Sequence, residues 1–368
     1  MFKFGFSGDD INSDTEDDVE DVESTNGTSP QIQCEHEEYS SDRTLRLYDI
    51  SDLLTSIPSR LSYSQVAIPF ENIEIPRREV FDIKLQIMAD EDVLPTLGDT
   101  SKKKDEDLYH QEIKILLSNT EDIRTNVYEG GLKSWEGAQD LVQCLAEEHT
   151  KIGNGVLEFG CGSALPSLYL FQQYVTEILH GNGQSQNVTF VLSDYNLSVL
   201  ELMTAPNFLI AYHKCICPDK NESDLIIKED TVQSFINWLD QHKISIKLVA
   251  GPWDAKKFAD LLGYSNSGNP KLRFSTVLAS ETIYSGASIA AFVPSMLSSL
   301  TLWHSTTGDF PKGYIAAKEI YFGVGGTVLQ FLEEAKRYDS SVEILIKKRI
   351  SPEQVSGVSR VILQAQKL

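Results

Sequence analysis

The sequence lacks long apolar runs and a regular set of cysteines. No stretch of 18 apolar residues occurs among its 368 residues, and the N-terminus turns acidic after Phe6 without an apolar core of signal-peptide length. The five cysteines are odd in number and irregularly spaced, which favours a reducing compartment. We therefore expect no membrane association.

Positive charge is also scarce. The chain has 32 lysines and arginines against 54 aspartates and glutamates, a net charge of −22. Residues 1–42 alone contain thirteen acids and one lysine. Because affinity for nucleic-acid phosphates comes mainly from Lys and Arg, we expect no direct, specific nucleic-acid binding. An acidic chain does suit a basic protein as its partner.

The composition divides the chain into three parts. Residues 1–43 are acidic and poor in aliphatic side chains, so we predict a disordered tail. Residues 44–118 are predicted to form a small ordered extension, with helix-like apolar spacing over 45–54, a strand over 83–88 and a charged linker at 99–107. Residues 119–368 form the third part, a larger domain.

Strand and helix patterns alternate through this larger domain. The predicted strands are 155–159, 188–193, 245–250, 274–280 and 313–321, each followed by a helical pattern. Five such units predict an α/β fold with a parallel sheet and right-handed crossovers. The last two strands, 342–346 and 360–363, have no helix between them and are predicted to form an antiparallel hairpin.

The first unit, Gly155 to Ser167, predicts a buried strand, a glycine loop and a helix start, which together favour a small-molecule site. The third glycine of a dinucleotide fingerprint is replaced by Leu165, and the Gly-Lys-Ser/Thr of a phosphate-binding loop is absent. Glu158 within the strand disfavours a polyphosphate and suits a ligand with an amino group. The alternative is a tight turn in another kind of α/β protein.

Chemistry-bearing residues follow the next two strands. Asp194 can accept hydrogen bonds from the ribose hydroxyls of an adenosine held by the first loop, or it can cap the helix that begins at Asn196 or Leu197. Trp253, in a Gly251-Pro-Trp segment, can stack on adenine or can be a core tryptophan.

The fourth and fifth strands lead into a second group of candidates. Glu281 and Tyr284 follow the fourth strand, where a substrate group is expected in such sheets; the alternative is a capped turn. The segment after the fifth strand combines glycines with aromatic residues and can clamp a peptide, or can be an ordinary connection. Its predicted substrate-binding residues are Tyr321, Phe322, Gly323 and Gly325.

Two other signals are weak. His213, Cys215 and Cys217 lack a second cysteine pair and the two-residue spacer of a zinc site, so we predict no metal. Cys161 in the glycine loop has no neighbouring histidine to activate it as a nucleophile.

Several motifs together resemble a known family. These are Asn126-Val-Tyr-Glu-Gly-Gly-Leu-Lys-Ser-Trp-Glu136, Leu157-Glu-Phe-Gly-Cys-Gly162, Gly251-Pro-Trp253, Ala279-Ser-Glu-Thr-Ile-Tyr284 and Tyr321-Phe-Gly-Val-Gly-Gly326. They are most similar to the histidine protein methyltransferases of fungi and animals, within family 16 of the seven-strand protein methyltransferases. The resemblance implies a Rossmann-like seven-strand sheet that ends in an antiparallel hairpin, preceded by an N-terminal extension.

The resemblance also implies S-adenosylmethionine as cofactor. It implies donor contacts at Trp135, Glu136, Gly160, Cys161, Gly162, Asp194, Trp253 and Ser280. We add Lys133, Ser134, Glu158, Asn196 and Gly251 to the predicted cofactor-binding set. Ser134 is also predicted to cap the helix that follows it.

The implied substrate is a large-subunit ribosomal protein, and we expect a monomer in cytoplasm and nucleus. Most relatives in family 16 methylate lysine, but the acid of their motif is here Glu281, as in the histidine-specific branch. A neutral imidazole, with a pKa of about 6.5, is already nucleophilic at neutral pH. The predicted catalytic residues are Glu281, which holds one ring nitrogen as N–H, and Tyr284. A lysine methyltransferase and a ribosome-assembly factor with a vestigial donor site remain alternatives.

Overall fold

The computed structural model describes residues 43–89, 103–118, 128–181, 186–218, 222–263, 272–302, 310–350 and 358–368. Residues 1–42 of the predicted tail and residues 99–102 of the predicted linker lie outside the described residues. None of the helices within these ranges is long and apolar enough to cross a membrane.

The described strands form one large and one small sheet. In chain order they are β1 (Arg46–Asp49), β2 (Arg60–Ile68), β3 (Ile73–Arg78), β4 (Gly155–Phe159), β5 (Val188–Asp194), β6 (Asp224–Ile226), β7 (Ile244–Ala250), β8 (Thr276–Ser280), β9 (Lys312–Lys318), β10 (Val342–Ile350) and β11 (Arg360–Lys367). The large sheet has the order β1-β7-β5-β4-β8-β9-β11-β10, and the small one β3-β2-β6.

Helices cover both faces of the large sheet. They are α1 (Ile50–Leu53), α2 (Val80–Ala89), α3 (Lys103–Ser118), α4 (Glu136–Glu147), α5 (Leu165–Leu179), α6 (Leu197–Val199), α7 (Ala205–Ile216), α8 (Thr231–Gln241), α9 (Ala255–Leu261), α10 (Gly286–Leu302) and α11 (Val328–Tyr338). A π-helical turn, Leu200–Thr204, joins α6 to α7.

The sheet confirms the fold predicted from the alternating pattern. The five strands β4, β5, β7, β8 and β9 pair in parallel, and β10 and β11 close the sheet as an antiparallel hairpin, with β11 next to β9. The chain runs outward from β4 through β5 to β7, and then returns to β8 on the other side of β4. Such a reversal opens a crevice at the carboxyl ends of the strands, which is where ligands bind in open α/β sheets.

Two hydrophobic cores lie against the sheet. Strand β4 contributes Val156 to one core and Leu157 and Phe159 to the other, and all three side chains are fully buried. Successive residues of a strand point to opposite faces, so a strand covered on both sides is apolar throughout. Glu158 is the exception, and its surroundings are described below.

Three sequence predictions for the extension are wrong. Residues 83–88 belong to helix α2: the buried Ile83 and the partly buried Ile87 lie one helical turn apart in the same core, whereas Leu85, which would share their face in a strand, is exposed. Residues 46–49 form β1, which supplies hydrogen bonds to the edge of β7, and only 50–53 are helical. Residues 103–107 lie in α3 and not in a linker.

Candidate active site

A cavity of about 380 Å³ lies at the crevice beside β4. That volume is within the range of about 300–1,000 Å³ typical of small-molecule sites. Predicted site residues that line it are Lys133, Trp135, Gly160, Cys161, Gly162, Asp194, Gly251, Trp253, Ser280, Glu281, Tyr284, Tyr321 and Phe322. Those that do not line it are Ser134, Glu136, Glu158, Asn196, Gly323 and Gly325.

The glycine loop after β4 forms the floor of the cavity. Gly162 has a φ of +51°, in the left-handed region that favours glycine. A Cβ at this position would lie 2.9 Å from the carbonyl oxygen of Gly131, so the loop and the 129–135 segment approach each other closely. The backbone N–H of Gly162 donates to Oδ2 of Asp194 at 2.9 Å.

Asp194 is buried at the end of β5 with both oxygens bonded. Its Oδ1 accepts the Asn196 N–H at 3.0 Å, and its Oδ2 accepts that of Gly162. Asn196 stands at the N-cap position of α6 without a cap hydrogen bond from its side chain, and the N–H that Asp194 accepts precedes the helix, so Asp194 does not act as the helix cap. Burial raises the pKa of Asp194 to about 6, while the two backbone N–H groups oppose that rise. Each oxygen retains a second lone pair, which suits the ribose role.

Glu158 lies behind the glycine loop and does not face the cavity. Its side chain is fully buried, and it accepts hydrogen bonds from the backbone N–H of Ser167, at 3.1 Å, and from the Ser167 hydroxyl. Ser167 lies in the first turn of α5, whose backbone N–H groups need acceptors. The geometry therefore gives Glu158 a place at the start of α5, away from a ligand amino group.

Burial raises the pKa of Glu158 to about 8, well above the ordinary value of 4.5. The folded state thus binds a proton that the unfolded state releases, so the stability from this group is complete below about pH 4.5 and is lost as the pH rises through about 8. Replacing Glu158 with Gln should remove this dependence. We expect the melting temperature of Glu158→Gln, minus that of wild type, to increase between pH 5 and 8.

The matched control is Glu177→Gln, which removes a partly exposed carboxylate of α5 that pairs with Lys151. Thermal unfolding of the three proteins across this pH range measures both differences. If the difference in melting temperature between Glu158→Gln and wild type stays constant with pH, Glu158 does not hold a proton in the folded state.

Glu281 is held in a fixed orientation at the other end of the cavity. Its Oε1 accepts the N–H of Gly137 at 3.2 Å, and its Oε2 accepts the hydroxyl of Tyr321 at 2.6 Å. Its φ of +55° is uncommon for a residue with a side chain, and such strain collects at functional sites. Burial raises the pKa of Glu281, although the Tyr321 hydrogen bond and the charge of Lys318 oppose that rise.

Tyr284 also faces the cavity, with its hydroxyl donating to Oε2 of Glu129. Glu129 is a cavity residue that the sequence reasoning missed, although it lies within the 126–136 motif. Its backbone N–H donates to Oδ1 of the buried Asn196 at 2.9 Å, so Asn196 supports the cavity wall from behind.

Trp135 lies between two ammonium groups of this chain. Lys133 Nζ is 4.8 Å and Lys318 Nζ is 5.5 Å from the centre of its ring, so the ring attracts cations. Lys318 also pairs with Glu136 at 3.7 Å. The predicted cap by Ser134 is wrong: Trp135 stands at the N-cap position of α4, and the Gly137 N–H in the first turn donates to Glu281 instead.

The cavity residues fit a nucleoside-bearing donor. Trp253 Nε1 and Thr282 Oγ1 are buried without a hydrogen-bond partner among the described residues, and both side chains line the cavity. Trp253 also packs edge-on against the core residue Phe159, with ring centres 6.2 Å apart, as its core role predicts, whereas stacking on adenine stays a prediction. Together with Asp194 and the glycine loop, these groups provide polar atoms for a base and a ribose.

The segment from Tyr321 to Gly326 forms an outer wall. Gly325 N–H donates to the Tyr321 carbonyl at 3.0 Å and Gly326 N–H to the Tyr284 carbonyl at 2.9 Å, which closes a tight loop. Phe322 lines the cavity but is 76% exposed. Strand β9 ends at Lys318, three residues before the predicted end, since the Lys318 N–H donates to the Tyr321 hydroxyl.

Cys161 is buried, and burial together with the charges of Asp194 and Glu158 raises the pKa of its thiol well above the ordinary value. A thiol in that state is a poor nucleophile. Within the part of the chain that the structure describes, no group of three or more His, Cys, Asp or Glu side chains is arranged to hold a metal ion.

Curated relatives share most of this chain. Histidine protein methyltransferase 1 of Saccharomyces cerevisiae is 33% identical over 90% of this chain and 89% of its own length. The protein of the same name from Schizosaccharomyces pombe is 31% identical over 77% of this chain and 74% of its own length. Its homolog in Dictyostelium discoideum is 32% identical over 61% of this chain and 55% of its own length.

No family model matches the chain. Among solved structures, the glycopeptide N-methyltransferase MtfA complexed with S-adenosyl-L-methionine has a TM-score of 0.31 and 12% identity over 63% of this chain and 94% of its own. The identity and coverage shared with the two yeast proteins establish the family of this chain. The chain belongs to the histidine protein methyltransferase family, and it is an S-adenosylmethionine-dependent methyltransferase.

Proposed function

We propose that the protein transfers a methyl group from S-adenosylmethionine to an imidazole nitrogen of a histidine in a protein substrate. The observation that carries this proposal is the placement of Glu281. Its carboxylate is held by Gly137 and Tyr321, and it lines the same cavity as the glycine loop. A fixed hydrogen-bond acceptor therefore lies in the compartment that fits the donor.

The donor end of the cavity is assigned to four groups. Asp194 binds the ribose hydroxyls, Trp253 contacts the base, and the backbone of Gly160 and Gly162 admits the ligand closely. S-adenosylmethionine, when bound, supplies an electrophilic methyl group on a sulfonium. These residues orient the donor and exclude water from its reactive end.

The acceptor end is assigned to Glu281 and Tyr284. Each oxygen of Glu281 accepts one hydrogen bond from the protein, and an ionised carboxylate has lone pairs to accept more. Glu281 accepts the N–H of one ring nitrogen and so fixes the tautomer that presents the other nitrogen for attack. Alignment of two reactants in this way lowers a barrier by several kcal/mol.

Glu129, Asp194 and Glu281 line the cavity together with two lysines, so the ease of deprotonation, and not the local charge, decides between imidazole and ammonium acceptors. Lys133 and Lys318 both line the cavity, with their ammonium groups within 5.5 Å of the Trp135 ring centre. A substrate lysine must lose a proton before it can attack, whereas an imidazole is neutral at pH 7 to a large extent. The lysine alternative therefore has less support than histidine.

The outer wall is assigned to the substrate segment around the target histidine. Ile320, Phe322 and Val324 all line the cavity and are all exposed, so they form an apolar surface at its mouth. An apolar side chain next to the histidine would bury this surface. The positive φ values of Gly323 and Gly325 shape the loop that presents it.

Phe322→Ala is expected to raise the KM for a protein substrate about tenfold and to leave kcat and donor affinity unchanged, since burying a phenylalanine side chain contributes roughly 1.5–3 kcal/mol. Steady-state kinetics at saturating donor measures the effect. The control is Leu329→Ala, which removes an apolar side chain that is 67% exposed on nearby α11 and does not line the cavity. Equal KM values for the two variants would remove Phe322 from the substrate surface.

The substrate itself is proposed to be a large-subunit ribosomal protein. The net charge of −22 supports a basic partner, and the family resemblance supports this class of protein. The test is label transfer from methyl-labelled donor to separated ribosomal subunit proteins of cells that lack this protein. Label confined to one large-subunit protein is expected, and label absent from that fraction would contradict the proposal. The monomeric state and the presence in cytoplasm and nucleus stay predictions.

A further inference from the structure

Arg43 contacts a residue of the donor end although it precedes β4, the first of the parallel strands, by more than a hundred positions. Its Cζ lies 4.7 Å from the ring centre of Tyr195. Tyr195 follows Asp194 directly and lines the cavity. A guanidinium that stacks on one face of a ring limits where that ring can move.

Glu112 holds Arg43 in place. It lies on α3, its side chain is fully buried, and its Oε1 forms an ion pair with Nη1 of Arg43. Its Oε2 accepts the backbone N–H of Ser198 at 3.3 Å and also the Ser198 hydroxyl. Ser198 lies in α6, directly after the Asp194–Asn196 turn. Glu112 thus connects α3, Arg43 and the start of the helix that follows the ribose-binding acid.

The residues next to Arg43 also support the cavity wall. A Cβ at Gly251 would lie 3.0 Å from Cα of Leu45 and 3.0 Å from the carbonyl oxygen of Thr44. Gly251 lines the same cavity as Tyr195 and directly follows β7. The backbone of residues 44–45 therefore packs against the outside of the same wall.

We propose that Arg43 is a positioning residue for the donor end, acting through Tyr195 and fixed by Glu112. The inference rests on the proposed donor site. Because Tyr195 is adjacent to the ribose-binding Asp194, the ring it positions contacts the adenosine part of the donor. Arg43, the last residue of the predicted tail, and Glu112 of the extension then contribute to cofactor affinity.

The test measures donor binding by Arg43 variants of the full chain. Arg43→Ala is expected to raise the Kd of S-adenosylhomocysteine on the order of tenfold and to leave kcat at saturating donor unchanged. Arg43→Lys keeps a buried cation opposite Glu112 but loses the planar stacking group, so its Kd should lie between those of Arg43→Ala and wild type. Binding of 5′-methylthioadenosine should weaken by the same factor as binding of S-adenosylhomocysteine.

Melting temperatures separate positioning from general stability. Lys247→Ala, which breaks the exposed ion pair between β7 and Asp49 of β1, is the control and should leave the Kd unchanged. If Arg43→Ala does not fold, the Kd of Arg43→Lys, compared with that of wild type, tests the positioning role. Two results would overturn the role of Arg43 and leave the proposed function intact. One is a wild-type Kd for S-adenosylhomocysteine in the Arg43 variants that fold. The other is weaker binding of S-adenosylhomocysteine with unchanged binding of 5′-methylthioadenosine. Failure of wild type to bind either ligand would overturn the proposed function.

Discussion

Gly162→Arg is expected to abolish measurable binding of S-adenosylmethionine. Gly162 has a positive φ and lies beneath Gly131, so any side chain there meets the Gly131 carbonyl or extends into the cavity. An arginine also introduces a cation where a sulfonium ligand must bind. Isothermal titration should show a loss of at least a hundredfold in affinity, about 2.7 kcal/mol.

Gly162 is buried, so this variant is expected to lose some stability as well. Gly181→Arg is the matched control, because Gly181 has a φ of +77° and nothing within 4 Å of its Cβ position. Both variants place a side chain at a positive φ, but only Gly162→Arg affects the cavity. Unchanged donor affinity in a folded Gly162→Arg protein would refute the location of the donor site.

Glu281→Gln is expected to lower kcat between tenfold and a hundredfold and to leave donor affinity and melting temperature nearly unchanged. The amide keeps the shape of the side chain and can still accept the Gly137 N–H through its oxygen. It loses the charge that strengthens a hydrogen bond to the imidazole N–H. Such a bond contributes about 1.5–3 kcal/mol, which corresponds to that range of rates if it acts in the transition state.

Glu319→Gln provides the control for this second variant. Glu319 lies near the same wall but pairs with Arg349 at the surface and does not line the cavity. Glu319→Gln removes one negative charge, as Glu281→Gln does, and should leave kcat unaltered. If Glu281→Gln instead weakens donor binding or lowers the melting temperature at an unchanged kcat, Glu281 has a structural role at Gly137 and is not catalytic.

The sequence predicts the main sheet because its signals are local. The apolar run Val156 to Phe159, the glycines that follow it and the helix pattern after Leu165 lie within a few residues of one another. Parallel strands place their carboxyl ends at one edge, so Asp194, Trp253 and Glu281 could be assigned to one site from their positions after strands. All three residues line the same cavity in the structure.

The remaining errors arise where tertiary contacts override a local pattern. Alternating apolar residues over 83–88 fit either a strand or a helix, and burial of Ile83 decides for the helix. The direction of Glu158 depends on Ser167 of α5, and the sequence pattern does not show which face of β4 the carboxylate occupies. The Arg43–Glu112 ion pair joins residues 69 positions apart. No motif predicts such a contact.

Identification of the methylated residue is the most direct test of the central claim. The full chain is incubated with S-adenosylmethionine carrying an isotope-labelled methyl group and with ribosomal proteins from cells that lack this enzyme. Modified peptides are then sequenced by tandem mass spectrometry. The account predicts one added methyl group on the imidazole of a histidine, absent with Gly162→Arg and strongly reduced with Glu281→Gln. Methylation of a lysine ε-amine, with the histidines unmodified, would contradict it.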